Sequence, residues 1–275
     1  MKPNPKTELD LELLTQQVSE LALEMGKFLH DERQKFDPSR IETKGIHDYV
    51  SYVDKESEQQ IVTQLSKLLP EAGFIAEEEH HTTEDVPYYW LIDPLDGTTN
   101  FIHNTAPYCI SIGLCDQKEM LLGVVLEVCR CELYSAYKGG GAILTTPEGS
   151  ETIHVSEVDD VDKSFLGLGF PYQWQKYKPM ALHLIENLYG KAMGLRLMGA
   201  CAAELCYIAA GRFEGRIESF LGPWDIAAAS LILREAGGKI TNFKGEDLFY
   251  NSEEVLASNG KMHPYLLKTI QNMRE

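Results

Sequence analysis

Between Tyr88 and Ala136 the chain carries four runs of strand length, at residues 88–92, 110–114, 121–126 and 132–136. The first three are strongly apolar, and Ile110, Ile112, Val124 and Val125 are β-branched. Runs of this kind demand a sheet with cover on its faces. A short apolar strand is also predicted at 73–76. Upstream, Leu11, Leu14, Val18, Leu21, Met25 and Phe28 recur at steps of three and four, the stripe of an amphipathic helix. The polar stretch 30–44 reads as a loop and 49–53 as a short strand or hairpin. Asp54 and Ser57 read as caps of a second helix, with Ile61, Leu65 and Leu68 inward, that ends before Pro70. Gly139, Gly140 and Gly141 mark a turn.

Beyond about residue 155 the pattern changes. Predicted strands at 165–168, 194–197, 215–218, 239–241 and 255–258 alternate with helices at 180–188, 202–210, 226–236 and 263–272. No repeat or low-complexity linker separates the halves. The reading is one α/β (α+β) domain over 1–275. A strand-rich lobe of about 1–150 and an alternating lobe of about 151–275 share its core.

Composition narrows the function. The 275 residues hold 42 Asp and Glu against 25 Lys and Arg, a formal charge of −17. Such acidity argues against nucleic acid, whose phosphates need clustered Lys and Arg. It also disfavours phosphate esters unless cations mediate the contact. No apolar run approaches the roughly 20 residues of a membrane span. Residues 1–10 lack the apolar core of a signal peptide, so a cytoplasmic protein is expected. Cys109, Cys115, Cys129, Cys131, Cys201 and Cys206 contain no paired C-x-x-C and read as buried free thiols of a reducing compartment. His80 and His81 have no partner cluster at zinc-ligand spacing.

The chemistry concentrates at Trp90-Leu91-Ile92-Asp93-Pro94-Leu95-Asp96-Gly97-Thr98-Thr99-Asn100. An apolar strand ends, and two carboxylates three residues apart emerge beside a Gly-Thr-Thr turn. Gly97 permits a sharp bend, and Thr98 and Thr99 supply hydroxyls and N–H groups suited to an anion. A solvated Asp-Gly turn is the bland alternative. Its position between two apolar strands favours a site instead, because ligands bind at strand ends in open sheets. Glu77, directly after the 73–76 strand, is placed to point the same way; Glu79 reads as loop charge. Asp225 precedes a helical run, and N-capping alone explains its residue type.

Several carboxylates in one pocket repel one another, and divalent cations relieve that repulsion. Oxygen ligands with few His or Cys suit Mg²⁺, Mn²⁺ or Ca²⁺, and two-metal carboxylate sites serve phosphoryl transfer to water. A phospho-aspartyl route is disfavoured. Aligned to the D-x-D-G-T motif of haloacid dehalogenase-type phosphatases, this chain has Pro94 where the nucleophile belongs. The sequence contains neither G-x-x-x-x-G-K-[ST] nor G-x-S-x-G.

At these residues the chain resembles the inositol monophosphatase family of the fructose-1,6-bisphosphatase-like superfamily. WLIDPLDGTTNFIH at 90–103 is similar to that family's first signature, and GPWDIAAASLILREAGG at 222–238 to its second. Residues 74–78 resemble its F-I-G-E-E element, with Ala76 for Gly. The stretches 167–172 and 199–204 fall in order, and the likeness spans roughly 8–272.

The resemblance implies a layered α-β-α-β-α fold, a homodimer, lithium sensitivity and two or three Mg²⁺ ions. It assigns Glu77, Asp93, Asp96, Asp225 and the Leu95 carbonyl to the metals. It pairs Asp54 with Thr98 to orient the attacking water, with Glu77 helping to take its proton. Ser51 stands where the family has Thr. Lys44 matches a basic residue near the phosphate, its spacing to Asp48 one residue short. Gly97, Thr98 and Thr99, with Asp96, would meet the phosphate. Gly199, Ala200, Cys201, Glu218 and Asp225 would face the rest of the substrate, Cys201 standing where Ala is common. The expected activity is Mg²⁺-dependent hydrolysis of inositol-1-phosphate or a related polyol or sugar phosphate. Fructose-1,6-bisphosphatase, 3′(2′),5′-bisphosphate nucleotidase and histidinol-phosphatase activities are alternatives on the same scaffold. A non-catalytic sugar-phosphate-binding regulator is the reading from a different class.

Overall fold

The computed structural model describes residues 9–37, 39, 41–45, 48–248, 250 and 253–273, with backbone alone at 41, 43–45 and 48–50. Helix α1 (Leu11–Gln34) is capped by Asp10, whose carboxylate accepts the Leu13 N–H at 3.0 Å. Leu14, Val18, Leu21 and Met25 are buried as the stripe predicts. The helix continues past residue 30, where polar composition predicts a loop. Leu29 is fully buried and Arg33 donates to the Phe101 carbonyl at 3.0 Å, so tertiary contacts hold the last turn.

Strands β1 (Ile41–Gly45) and β2 (Asp48–Ser51) pair antiparallel. Helix α2 (Tyr52–Leu68) follows at once, so β2 stops short of 53. Its cap is Ser51 rather than Asp54 or Ser57. Ser51 Oγ accepts the Val53 N–H at 3.1 Å, and Asp54 Oδ2 accepts the Ser51 N–H at 2.9 Å and its hydroxyl at 2.6 Å. Asp54 thus closes a capping box from the helix's third residue.

The first sheet has seven strands in chain order: β3 (Ala72–Ala76), β4 (Tyr88–Asp96), β5 (Cys109–Asp116), β6 (Met120–Glu127), β7 (Glu132–Tyr137), β8 (Ala142–Thr146) and β9 (Gly149–Thr152). β3 and β4 are parallel; every other pair is antiparallel. Sequence patterning misses β8, a short strand with only Ala142, Ile143 and Leu144 apolar, and β9, a fully exposed polar edge strand with no apolar signal. β4 is longer than predicted and runs through Pro94 to Asp96. Against β5, Asp93 pairs with Ser111 and Asp96 with Cys109, so three steps on one strand match two on the other. This one-residue bulge accommodates a proline that offers no N–H to the ladder.

The second sheet comprises β10 (Phe165–Leu168), β11 (Gly194–Arg196), β12 (Gly215–Ser219), β13 (Lys239–Thr241) and β14 (Glu254–Ser258), in the order β11-β10-β12-β14-β13. Helices α5 (Cys201–Ala209) and α6 (Pro223–Glu235) lie between the sheets. All nine residues of α5 and the run Ile226 to Leu233 of α6 are buried, as two-sided packing requires. α1 and α2 cover the outer face of the first sheet. Helices α4 (Trp174–Leu188) and α7 (His263–Gln271) cover the second through Leu184, Leu188, Leu266 and Ile270. The layering is the expected α-β-α-β-α.

Of the six thiols, Cys109, Cys115, Cys201 and Cys206 are buried, but Cys129 and Cys131 are exposed. Those two lie in the turn after β6, where Cys131 takes a φ of 52°.

Candidate active site

On a regular strand, residues three apart face opposite sides. The bulge at Pro94–Leu95 inserts one residue and brings Asp93 and Asp96 round to the same cavity. Both are buried. Asp93 Oδ1 accepts the Leu95 N–H at 3.0 Å. Asp96 accepts the N–H groups of Cys201 at 3.1 Å and Ala202 at 2.7 Å, and the Cys109 thiol at 3.3 Å. The end of β4 is thereby fastened to the first turn of α5, whose N–H groups have no acceptor within the helix.

Gly97 has φ of 89° and precedes the short helix α3 (Thr98–Ile102). A Cβ there would come within 3.0 Å of the Pro107 carbonyl, so both conformation and space require glycine. Thr98 Oγ1 lies 2.9 Å from Asp54 Oδ1 and 3.1 Å from the Leu95 carbonyl, two acceptors for one proton. Asn100 donates to the carbonyls of Pro107 and Met198, each at 2.7 Å, tying α3 to the chain before α5.

Glu77 follows β3, and its N–H donates to the Ile92 carbonyl at 3.1 Å. The next turn is held by Glu58, a fully buried residue of α2 that the sequence reading passed over. Glu58 accepts the N–H groups of Glu78 at 2.7 Å, Glu79 at 2.7 Å and His80 at 2.9 Å, with the His80 ring at 2.7 Å. The available signal was its position four residues after Asp54, on the inward stripe of α2 with Ile61 and Leu65. Asp225 is the third residue of α6 rather than its N-cap; its Oδ2 accepts the Gly222 N–H at 2.7 Å.

Glu77, Asp93, Leu95, Asp96, Gly97, Thr98, Thr99, Gly199, Cys201, Glu218 and Asp225 all line one cavity of about 670 Å³. Two candidates do not reach its wall: Asp54 is connected to it through Thr98, and Ala200 is fully buried behind it. The Lys44 side chain lies outside the described residues. Arg216, Phe170, Tyr172, Leu197 and Trp224 join the lining without having been anticipated.

Burial, then the charges of Glu77, Asp96 and Asp225, pushes the Asp93 carboxyl well above the usual carboxylate range. Burial, then Glu77 and Asp96, does the same to Asp225. Burial pushes Asp96 up to about 6, although the Ala202 N–H, the Cys109 thiol and Arg216 favour its charged form. Mutual repulsion among hard oxygen donors is the condition that a divalent cation relieves. The donor chemistry therefore fits a hard divalent cation, Mg²⁺, Mn²⁺ or Ca²⁺, and lacks the thiolates and imidazoles of a soft-metal site. Among the described residues, no three His, Cys, Asp or Glu side chains stand as a ready-made cage.

The model of the inositol monophosphatase family matches residues 10–275. The chain belongs to the inositol monophosphatase family. An inositol-1-monophosphatase of Mesorhizobium japonicum is 34% identical over 251 residues, covering 91% of this chain and 93% of that protein. A relative in Neisseria meningitidis serogroup B, named as a putative Nus factor SuhB, is 37% identical over 235 residues, covering 85% and 88%. The structure of an inositol monophosphatase from Thermotoga maritima superposes with a TM-score of 0.84 at 30% identity, over 94% of this chain and 96% of that one. Family membership and α-β-α-β-α layering agree with the sequence reading.

Proposed function

We propose that this protein is a Mg²⁺-dependent phosphomonoesterase that hydrolyses inositol-1-phosphate or a related polyol or sugar phosphate by direct attack of water. The observation that carries the reading is the convergence of Glu77, Asp93, Asp96 and Asp225, from β4, α6 and the loop after β3, on one cavity. These carboxylates and the Leu95 carbonyl would hold the cations. Two or three Mg²⁺ ions, with Mn²⁺ as a substitute, would offset the charge of carboxylates and phosphate and activate the attacking water. Thr98 donating to Asp54 leaves its oxygen lone pairs free to accept from that water, and on the family resemblance Glu77 would help to take its proton. The turn Gly97-Thr98-Thr99 offers first-turn N–H groups of α3 to the phosphate. Gly199, Cys201, Glu218 and Asp225 would meet the alcohol portion. Lys44 is kept as a basic residue near the phosphate on the family resemblance.

Retention of Glu77, Asp93, Asp96, Thr98 and Asp225 supports an enzyme over a non-catalytic binder. The name of the Neisseria relative points to transcription, but it describes that protein. A homodimer is supported by the exposed apolar side chains Leu182, Ile185 and Tyr189 at the end of α4, with Met193 and Leu197 beyond. No helix among the described residues is long and apolar enough to cross a membrane. The test is phosphate release from inositol-1-phosphate, fructose-1,6-bisphosphate and adenosine 3′,5′-bisphosphate with and without Mg²⁺. The reading expects Mg²⁺-dependent release, fastest on inositol-1-phosphate and inhibited by Li⁺. No release from any phosphate ester would overturn it.

A further inference from the structure

On β12, Arg216 and Glu218 share one face, while Ile217 between them points into the apolar layer beneath α4 and α7. Arg216 is 1% exposed, yet it reaches the wall of the carboxylate cavity. It donates to the Glu218 carboxylate on its cavity side and is paired by charge with Glu204, a fully buried residue of α5, on the other. A buried guanidinium between two carboxylates is costly to desolvate unless its partners are held close.

The neighbouring strand makes that closeness possible. Gly167 pairs with Arg216 in register on β10, and Gly169 follows two residues on. A Cβ at Gly167 would overlap the Glu204 carboxylate, and one at Gly169 would overlap the carboxylate of Glu218. Two alternate glycines thus open the two seats that flank Arg216. Without Arg216, the Glu218 carboxylate has solvent and the cavity in which to turn. With it, one edge of the carboxylate is engaged, and rotation is restricted.

Resting on the phosphomonoesterase reading, we infer that Arg216, clamped by Glu204 and given room by Gly167 and Gly169, is the positioning residue that holds Glu218 for the hydroxyls of the substrate. A carboxylate held in one orientation accepts hydrogen bonds from substrate hydroxyls. Arg216 touches no reacting atom; it acts through Glu218.

The test compares kcat/KM for inositol-1-phosphate with that for p-nitrophenyl phosphate, which has no alcohol hydroxyls, at saturating Mg²⁺. Arg216→Met/Glu204→Gln removes the buried charge pair together, which limits the folding penalty of stranding one partner. Gly169→Ala displaces the Glu218 carboxylate while leaving every charge in place, and serves if the double variant does not fold. In both, the preference for the polyol ester falls by about tenfold or more, mainly through KM, the size expected for a lost hydrogen bond to a charged acceptor. Equal losses on both esters, or an unchanged ratio in a folded Gly169→Ala protein, overturn the assignment. Absence of Mg²⁺-dependent release from either ester by the unsubstituted protein is a separate result; it rejects the phosphatase reading itself.

Discussion

Thr98 Oγ1 sits 2.9 Å from Asp54 Oδ1, joining residues 44 positions apart in the chain. The same Asp54 carboxylate caps α2 through its other oxygen, accepting from both the N–H and the hydroxyl of Ser51. One buried side chain therefore starts a helix and orients a hydroxyl on the cavity wall. Burial pushes its carboxyl above the usual range, opposed by the hydrogen bonds from Ser51 and Thr98.

Thr98→Ala removes the hydroxyl and leaves the Ser51 bonds intact. Turnover of inositol-1-phosphate should fall by about 10²–10⁴-fold, the range typical of a lost proton-handling group. The thermal midpoint should drop by only a few degrees, since one side-chain hydrogen bond contributes about 1 kcal/mol. Steady-state kinetics and a melting curve on the same sample decide this.

Asp225→Asn should abolish turnover without costing stability. In the metal-free protein the substitution removes a charge that Glu77 and Asp96 repel, so the melting temperature should hold or rise. The stabilisation given by added Mg²⁺ should shrink sharply. A large fall in the metal-free melting temperature would show that Asp225 serves chiefly as the partner of the Gly222 N–H.

The carboxylates predict a pH dependence. Asp93, Asp96 and Asp225 hold protons more tightly in the folded chain than in the unfolded one. Their contribution to stability is full below the unfolded values and is lost as pH rises through the folded ones, about 6 for Asp96. On the proposed reading a bound cation would take the place of those protons. After chelation, added Mg²⁺ should therefore raise the melting temperature more at about pH 7.5 than at about pH 5. An equal gain at both pH values would detach the metal from these groups.

Glu58→Ala strands three N–H groups of the turn from Glu78 to His80. A destabilisation of about 2–4 kcal/mol is expected from buried donors left without an acceptor. Because that turn follows Glu77, the Mg²⁺ concentration for half-maximal activity should also increase. Denaturant melts and a Mg²⁺ titration of activity measure the two effects.

The five-layer order and the grouping of Glu77 and Asp225 with the other carboxylates rest on the family resemblance; the succession of strands and helices and the acidic turn at Asp93–Asp96 are legible in the sequence itself. They rest on local signals: apolar period, glycine at a forced turn, and acidic residues at strand and helix ends. Other features depend on contacts between distant segments. β4 reads as stopping at Pro94 because proline withholds an N–H; only pairing with β5 absorbs it as a bulge and so turns Asp93 and Asp96 to one side. α1 outlasts its own polar composition because Arg33 reaches α3. Ser51 displaces Asp54 and Ser57 as cap because β2 runs straight into α2.

The sequence by itself determined which residues could do the chemistry, since residue type and strand-end position are local properties. The tertiary structure alone decided how they are held. The sequence reading passes over Glu58, which acquires a role only when the turn after Glu77 folds over it. It passes over Arg216 too, which Gly167, Gly169 and Glu204 enclose only in the folded chain. A charge in the sequence has no environment; burial and partners are supplied only when separate segments pack, and they make the same residue a solvated charge or a positioning device.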